Sequence, residues 1–147
     1  MQNTMLKYVT DAGRLYQQLL APVRASTGLT QAELDILLFL ANNPEYDTAS
    51  DIVALRRLAK SNVSVGIKHL ESMGFIRRCP DEKDRRVEHL SLTPAAGPAI
   101  EQGRRGQEEF GKILMGNFTE EERGELKRFM GRIQQNLTRA LDTLPQK

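Results

Sequence analysis

Hydrophobic residues recur at intervals of three and four positions along most of the chain, with polar residues between them. This is the spacing of amphipathic helices, so the pattern predicts a mainly helical protein. The first helix is expected over 5–23 and should end between Pro22 and Gly28. The last helix should begin at a capping box formed by Thr119 and Glu122. Its apolar stripe consists of Leu126, Phe129, Met130, Ile133, Leu137, Ala140, Leu141 and Leu144.

A second helix is marked by a capping box, in which Thr30 and Glu33 have the Ser/Thr-x-x-Glu spacing. Leu29 and Leu34 occupy the two positions of a hydrophobic staple around this box. The run 34–41 is apolar on nearly all sides, so this helix is expected to be central in the fold.

A short third helix is expected to begin at Thr48, where Asp51 follows three residues later as a shorter version of the capping acid. A turn over 56–59 should separate it from the next helix. The buried side of the short helix is expected to consist of Ile52, Val53 and Leu55.

The fourth helix is expected over 60–73, with Gly74 as the residue that ends it. Val63, Ile67, Leu70 and Gly74 share one side. Gly66 lowers helix propensity by about 1 kcal/mol relative to Ala, which indicates either close helix packing or close approach of a ligand backbone. The faces away from the apolar side carry Ser61, Asn62, Ser64, Val65 and Lys68.

Two strands are predicted next, over 75–79 and 87–92, on either side of a charged tip at 81–86. Thr93 is then expected to cap a helix that has Pro94 at its favoured first position. That helix should be weakened and bent by Gly97, Pro98, Gly103 and Gly106.

Positive charge is concentrated in one window. Residues 56–86 contain nine basic and four acidic residues, a net charge of +5. The whole chain has 21 basic and 19 acidic residues, so the remainder has 12 and 15, a net charge of −3. A basic window of this kind favours contact with the phosphates of a nucleic acid.

The order of helix, turn, helix and hairpin within this part of the chain predicts a winged helix-turn-helix. The fold class is therefore mainly α with a small β-hairpin wing (α+β). We expect one unit over 1–147, with a DNA-binding lobe at 30–93 and a helical dimerisation lobe made of 1–28 and 94–147.

The dimerisation lobe is inferred from length. The last helix should run for about 26 residues, or roughly 39 Å at 1.5 Å per residue. A compact chain of this size is only about 38 Å across, so one subunit can hardly cover the stripe along its whole length. The terminal helices are therefore expected to join a second copy.

Composition narrows the class of protein. An aromatic content of 5% and the lack of Trp disfavour a surface that stacks single-stranded bases, so duplex DNA is the better candidate. The sequence has no signal-peptide pattern and no apolar run of membrane-spanning length, and a cytoplasmic protein without membrane contact is expected. The single cysteine, Cys79, excludes an internal disulfide.

No motif in the sequence indicates an enzyme. It has no phosphate loop, no nucleophile elbow and no His-Glu-x-x-His, and the acidic cluster 120–122 is explained by the helix dipole. We predict no catalytic residue, no cofactor and no metal site. His69, His89 and Cys79 lack the mutual spacing of metal ligands.

The sequence resembles the MarR family of winged helix-turn-helix transcription regulators over nearly its whole length. The resemblance is strongest at 59–64, 70–78, 84–86 and 92–97, which are Ala-Lys-Ser-Asn-Val-Ser, Leu-Glu-Ser-Met-Gly-Phe-Ile-Arg-Arg, Asp-Arg-Arg and Leu-Thr-Pro-Ala-Ala-Gly. It departs from the family at Ala59, where a capping Ser is usual. The peroxide sensors of the family have a reactive cysteine in the first helix, and this chain has none there.

The resemblance implies base reading in the major groove by Ser61, Asn62, Ser64, Val65 and Lys68. It implies contact with the neighbouring minor groove by Arg86, held by Asp84. It also implies a homodimer that represses a pseudo-palindromic operator and releases it on binding a small molecule or on oxidation.

These roles also fit the chemistry of the side chains. Short polar groups can pair with base edges, Val65 can touch a thymine methyl, and an arginine such as Arg86 suits a narrow minor groove. Phosphate contacts are expected from Lys60, Lys68, Arg77 and Arg85.

Three alternatives stay open at this stage. Cys79 follows two arginines, which favours thiolate formation and would suit a redox sensor. The winged helix could instead serve protein contacts without binding DNA. Finally, an effector pocket or ordinary core could be lined by Tyr16, Phe39, Phe110 and Met130.

Overall fold

The computed structural model describes residues 2–56 and 58–145. Its helices are α1 (Gln2–Thr27), α2 (Gln31–Asn42), α3 (Ala49–Arg56), α4 (Lys60–Ser72), α5 (Gly97–Met115) and α6 (Glu120–Thr143), and its strands are β1 (Ile76–Pro80) and β2 (Glu88–Leu92). A 3-10 turn over Pro94–Ala96 leads into α5. The winged helix-turn-helix order is confirmed. Arg57, placed by the sequence in the turn after α3, lies outside the described residues.

The chain divides into two compact units, 1–110 and 111–147. The core of the first unit is built around α2, as its apolar sequence predicts. The buried residues of α2 are Glu33, Leu34, Ile36, Leu37, Leu38, Phe39 and Leu40. The helix packs against α1, α4 and β2, so it forms the support on which α4 and the wing are mounted.

The helix starts expected from capping boxes are confirmed. Thr30 accepts a hydrogen bond from the Glu33 N–H at 3.2 Å, and the Glu33 carboxylate accepts from the Thr30 N–H at 2.9 Å. Thr119 and Glu122 make the same reciprocal pair at the start of α6. At Thr48 the shorter acid Asp51 suffices, because its carboxylate accepts from both the N–H and the hydroxyl of Thr48.

Three expectations are corrected. Leu55 is 52% exposed. It lies in the last turn of the two-turn helix α3, whose buried residue is Ile52. The Thr93 hydroxyl accepts no capping hydrogen bond from the 3-10 turn that follows, and it donates to the Gly74 carbonyl. The strands begin one residue later than predicted, at Ile76 and Glu88.

Gly66 and Gly103 mark close packing of their helices against α2. A Cβ on Gly66 would lie 2.7 Å from Ile36 Cδ1, so the sequence alternative of tight helix packing, here between α4 and α2, explains this residue. A Cβ on Gly103 would lie 2.6 Å from Leu38 Cδ2. Thus α5 runs unbroken through Gly103, and the glycine serves packing.

Replacing Gly103 by valine should therefore destabilise the protein by about 2 kcal/mol, because Leu38 is buried and overpacking a core costs about 1–3 kcal/mol. Gly111→Val in the same helix is the matched control, since no described atom lies within 4 Å of its Cβ position. Thermal unfolding should show a clearly lower Tm for Gly103→Val only. Equal Tm values would contradict the packing assignment.

Among the described helices, none is long and apolar enough to cross a membrane.

Candidate nucleic-acid interface

The outer face of α4 carries the polar residues that the sequence placed there. The helix is held by Val63, Ile67 and Leu70, all buried, and its packing partners are α2, α3 and β1. On the other side the exposed side chains are Lys60, Ser61, Asn62, Ser64, Val65 and Lys68. Val65 is 67% exposed although it is apolar. The face therefore offers hydroxyl, amide, methyl and ammonium groups to a ligand.

The first turn of α4 has no side-chain cap, because Ala59 occupies the N-cap position. Instead, the helix is fastened near its other end by a contact that sequence reasoning missed. His69 Nδ1 lies 2.8 Å from the Glu33 carboxylate, whose other oxygen caps α2. Burial alone would raise the pKa of Glu33, but the Thr30 N–H and His69 outweigh it and the pKa is lowered.

The turn from α4 into the wing depends on Gly74, which has a φ of +74°. The Phe75 N–H bonds to the Leu70 carbonyl and the Gly74 N–H to the Glu71 carbonyl, both at 2.9 Å. This is the Schellman arrangement, and it favours glycine because only glycine adopts a positive φ without strain. The helix ends as the sequence predicts, and β1 starts two residues later.

The wing is an antiparallel pair in which Arg77 faces Ser91 and Arg78 faces Leu90. The two arginines differ in their partners. Arg78 donates to Glu71 at 2.9 Å and to Glu88 at 3.1 Å, so its charge is used within the protein. Arg77 and Arg85 are exposed. The sequence predicted DNA contact for Arg77 and Arg85 and not for Arg78, and that role stays a prediction.

At the wing tip, Asp84 forms a bidentate ion pair with Arg86. The Arg86 Nε and Nη2 donate to the two carboxylate oxygens at 3.1 and 3.2 Å, and the Arg86 N–H donates to Oδ1 at 3.0 Å. The Arg86 hydrogen bonds lower the pKa of Asp84. The arginine side chain is nevertheless 90% exposed. It is an oriented cation that is open to solvent.

The wing tip and the two helices border one cleft of about 270 Å³. Its lining includes Ser50 of α3, Ile67 of α4 and Arg86 of the wing. A second cleft, of about 250 Å³, shares Ser50 with the first and is lined by Lys60 and Ser64 of the α4 outer face. The outer face of α4 and the oriented arginine therefore border one continuous surface of the first unit, which passes over the start of α3.

Comparison with known proteins decides the family. The model of the MarR family matches residues 27–87. The HTH-type transcriptional regulator PecS of Dickeya dadantii (strain 3937) is 30% identical over 111 residues, which are 74% of this chain and 67% of PecS. The chain belongs to the MarR family of transcriptional regulators.

Solved structures of MarR regulators share the fold. A MarR transcriptional regulator from Methanosarcina mazei Go1 superposes with a TM-score of 0.78 at 20% identity, over 94% of this chain and 99% of that one. The S. aureus MepR–DNA complex gives a TM-score of 0.76 at 18% identity, over 93% and 96% of the two chains. The winged helix-turn-helix of this MarR-family chain is thus the fold of both solved proteins.

Sequence reasoning also missed the role of His89 in this MarR-family wing. Its Nδ1 lies 2.8 Å from Asp47 and its Nε2 lies 2.9 Å from Asp81. Asp81 and then Asp47 raise the pKa of His89 to about 9, and His89 is the main cause that lowers the pKa of Asp81 to about 2. In the sequence, the signals for this site were two acidic residues, one in the loop before α3 and one at the wing tip. They lie far apart along the chain, so their spacing did not indicate a shared partner.

The remaining candidate residues are placed as follows. Cys79 is exposed on β1 and lies opposite His89 in the strand register. Within residues 2–56 and 58–145, no group of three or more His, Cys, Asp and Glu side chains is arranged to hold a metal. Tyr16 and Phe110 meet edge to face with ring centres 5.3 Å apart.

Proposed function

We propose that this protein binds double-stranded DNA in a sequence-specific manner, as a homodimeric repressor that a small-molecule effector releases. The observation that carries the proposal is the contiguous surface formed by the polar face of α4 and the exposed Arg86. That surface lies in the +5 window. A DNA-binding lobe at 30–93 and a dimerisation lobe at 1–28 and 94–147 complete the arrangement.

In this proposal α4 enters the major groove. Ser61, Asn62, Ser64 and Val65 are exposed on one helix and are short, so they can approach base edges closely. Hydroxyl and amide groups can donate or accept hydrogen bonds there, and the exposed Val65 methyls suit the methyl group of thymine. Lys68, farther along the helix, can reach bases or the backbone.

Phosphate contacts surround this helix. Lys60, Lys68, Arg77 and Arg85 are all exposed. Their charges set the register of the protein on the duplex without reading sequence. Arg86 is assigned instead to the adjacent minor groove, because its guanidinium is already oriented by Asp84 at the hairpin tip.

The homodimer is supported by apolar surface on both terminal helices, each considered by itself. None of the described residues of α6 is buried. The exposed apolar residues of α6 and the residue after it are Phe129, Met130, Ile133, Leu137, Leu141 and Leu144. On α1 they are Met5, Leu6, Tyr8 and Val9. Rows of exposed apolar residues along a helix are typical of protein interfaces.

A two-fold dimer would place two α4 helices on successive turns of one face of the duplex, about 34–36 Å apart. The operator should then be pseudo-palindromic. The solved complex of MepR with DNA, a protein of the same fold, supports DNA as the ligand. Repression and effector release are the behaviour that membership in the MarR family favours.

A salt titration tests the electrostatic part of the proposal. The logarithm of the binding constant for a duplex should fall linearly with the logarithm of salt concentration, with a slope of about −0.9 for each phosphate neutralised. Arg85→Ala should reduce that slope by about 1 for each subunit. Lys127→Ala in α6 is the control for loss of one positive charge elsewhere. Binding that is absent or insensitive to salt would favour a winged helix used for protein contacts.

Selection of bound fragments from random duplexes tests the geometry. Two inverted half-sites with centres about 10–10.5 base pairs apart are expected. A single half-site would contradict the dimer, and recovery of no preferred sequence would contradict base reading by α4.

A further inference from the structure

The imidazole of His89 joins three segments of the DNA-binding lobe. It lies on β2 and contacts Asp47, in the loop before α3, through Nδ1 at 2.8 Å. Through Nε2 it contacts Asp81, in the loop after β1, at 2.9 Å. The wing and the loop that leads into α3 are therefore linked through one side chain.

Both partners of this ring are carboxylates, which only accept hydrogen bonds when ionised. A neutral imidazole has a single N–H and can donate to only one of them, whereas an imidazolium donates to both. Two contacts of 2.8 and 2.9 Å to ionised carboxylates fit a ring with a proton on each nitrogen. The titratable groups bonded to the ring are Asp47 and Asp81, and Cys79 occupies the position paired with His89 on the neighbouring strand. The pKa of about 9 that the two carboxylates give His89 agrees with this charge state.

The contact at Asp81 continues to the wing tip. While one Asp81 oxygen binds His89, the other accepts the N–H groups of Lys83 and Asp84, each at 2.8 Å. The Asp81 N–H also bonds to the Val87 carbonyl at 2.9 Å. Asp84 in turn grips Arg86. A continuous series of hydrogen bonds thus runs from His89 to the Arg86 guanidinium.

The contact at Asp47 continues to the helices. The Leu90 N–H donates to the Asp47 carbonyl at 2.7 Å, and Thr48 forms a single β-bridge with His89. Thr48 is also the cap of α3, which packs against α4. The contacts of Asp47 and Thr48 with β2 therefore help to fix the position of the wing relative to the α3–α4 pair.

We propose that His89 is a positioning residue for DNA binding, which holds the wing tip at a set place relative to α3 and α4 so that Arg86 and the α4 face can engage the duplex together. This role rests on the proposed function. Without the two hydrogen bonds of the His89 ring, the hairpin tip would still carry the Asp84–Arg86 pair, but it would lose its side-chain link to the loop before α3. Binding would then require ordering of the wing.

The charge state is tested without DNA. In the full-length protein, the ¹⁵N shifts of the His89 ring should show both nitrogens protonated at pH 7.5, with a midpoint near 9. The amide signals of Asp84 and Arg86 should shift with the same midpoint. Asp47→Asn should lower the midpoint, because it removes one of the two charges. A His89 ring that is neutral at pH 7.5 would contradict the pair of hydrogen bonds to Asp47 and Asp81. Amide signals at the tip that do not change with the titration of the ring would contradict the link from His89 to Arg86.

The positioning role is tested by a double-mutant cycle on duplex binding. His89→Gln should weaken binding roughly fivefold or more in the wild-type background and much less in the Arg86→Ala background, since the two residues act through one contact. His69→Gln is the matched control: it breaks a histidine–carboxylate pair between α4 and α2, and its effect should be the same in both backgrounds. Circular dichroism checks that each variant is folded, and Asp47→Asn replaces His89→Gln if that variant is not.

The outcomes separate this inference from the proposed function. If wild-type protein binds no duplex, the DNA-binding proposal fails, and with it the role of His89 in binding, even when the ring signals show the two hydrogen bonds of His89. Suppose that wild-type protein binds the duplex. The positioning role alone is then overturned if the His89→Gln variant binds as tightly as wild type, or if the substitution weakens binding by the same factor in the wild-type and Arg86→Ala backgrounds.

Discussion

Arg86→Ala is expected to weaken binding to the selected duplex by tenfold or more for each subunit, because a well-placed arginine contact contributes about 1–3 kcal/mol and 1.4 kcal/mol corresponds to a factor of ten. The loss should be large because Asp84 already orients the guanidinium, so little conformational entropy is lost when it binds. Fluorescence anisotropy of a labelled duplex at fixed salt concentration measures the change directly.

Lys83→Ala is the matched control for this variant. Lys83 is exposed at the same hairpin tip and has the same charge, but its backbone N–H and not its ammonium group is used by Asp81. Its replacement should produce only a small loss that disappears at higher salt. Asp84→Asn should give an intermediate loss, because the amide keeps at most one acceptor for Arg86. Unchanged affinity in Arg86→Ala would remove the minor-groove assignment.

Leu137→Glu should convert the protein to a monomer and reduce its affinity for a palindromic duplex by a factor of at least about 100, since linked binding to two half-sites gains about 10²–10⁴ over binding to one. Leu137 is 51% exposed within a single chain. Burying a leucine in the interface stabilises by about 1.5–3 kcal/mol, and a carboxylate at the same place adds an unpaired charge. Sedimentation equilibrium and anisotropy on the same samples measure both effects.

Gln135→Glu controls for the added charge, because position 135 lies on the opposite side of α6 from the apolar stripe. This variant should remain dimeric and bind as the parent does. Should Leu137→Glu stay dimeric, α6 would not be the interface. Should it become monomeric and keep full affinity, the two subunits would not bind the duplex together.

Much of the first unit could be predicted because its signals are local. The capping pairs Thr30–Glu33 and Thr48–Asp51 are three residues apart, and each forms as expected. The face of α4 was predictable for the same reason: a helix places residues three and four apart on one side whatever surrounds it. Gly74 is similar, because its positive φ is required by the turn itself.

The errors arose where a neighbour decides the outcome. Leu55 has the same spacing as a buried residue, yet it lies beyond the side that α3 packs against α4 and β2. Thr93 has the sequence of a cap, but its hydroxyl accepts no capping hydrogen bond and donates to the Gly74 carbonyl, 19 positions earlier. A local pattern limits the hydrogen bonds and contacts that a residue can make, and the elements packed around the residue determine which of them form.

Local sequence was thus sufficient for the capping pairs that start α2, α3 and α6 and for the outer face of α4, because these depend on residues within one or two helical turns. The basic window followed from composition, and the pairing of Asp84 with Arg86 was implied by the resemblance to the MarR family. Tertiary structure alone decided that His69 meets Glu33, 36 positions away, and that His89 joins Asp47, 42 positions away, to Asp81. It also assigned Gly66 and Gly103 to close contacts with α2. The physical reason is that these contacts depend on how separate elements pack, and no spacing along the chain encodes that distance.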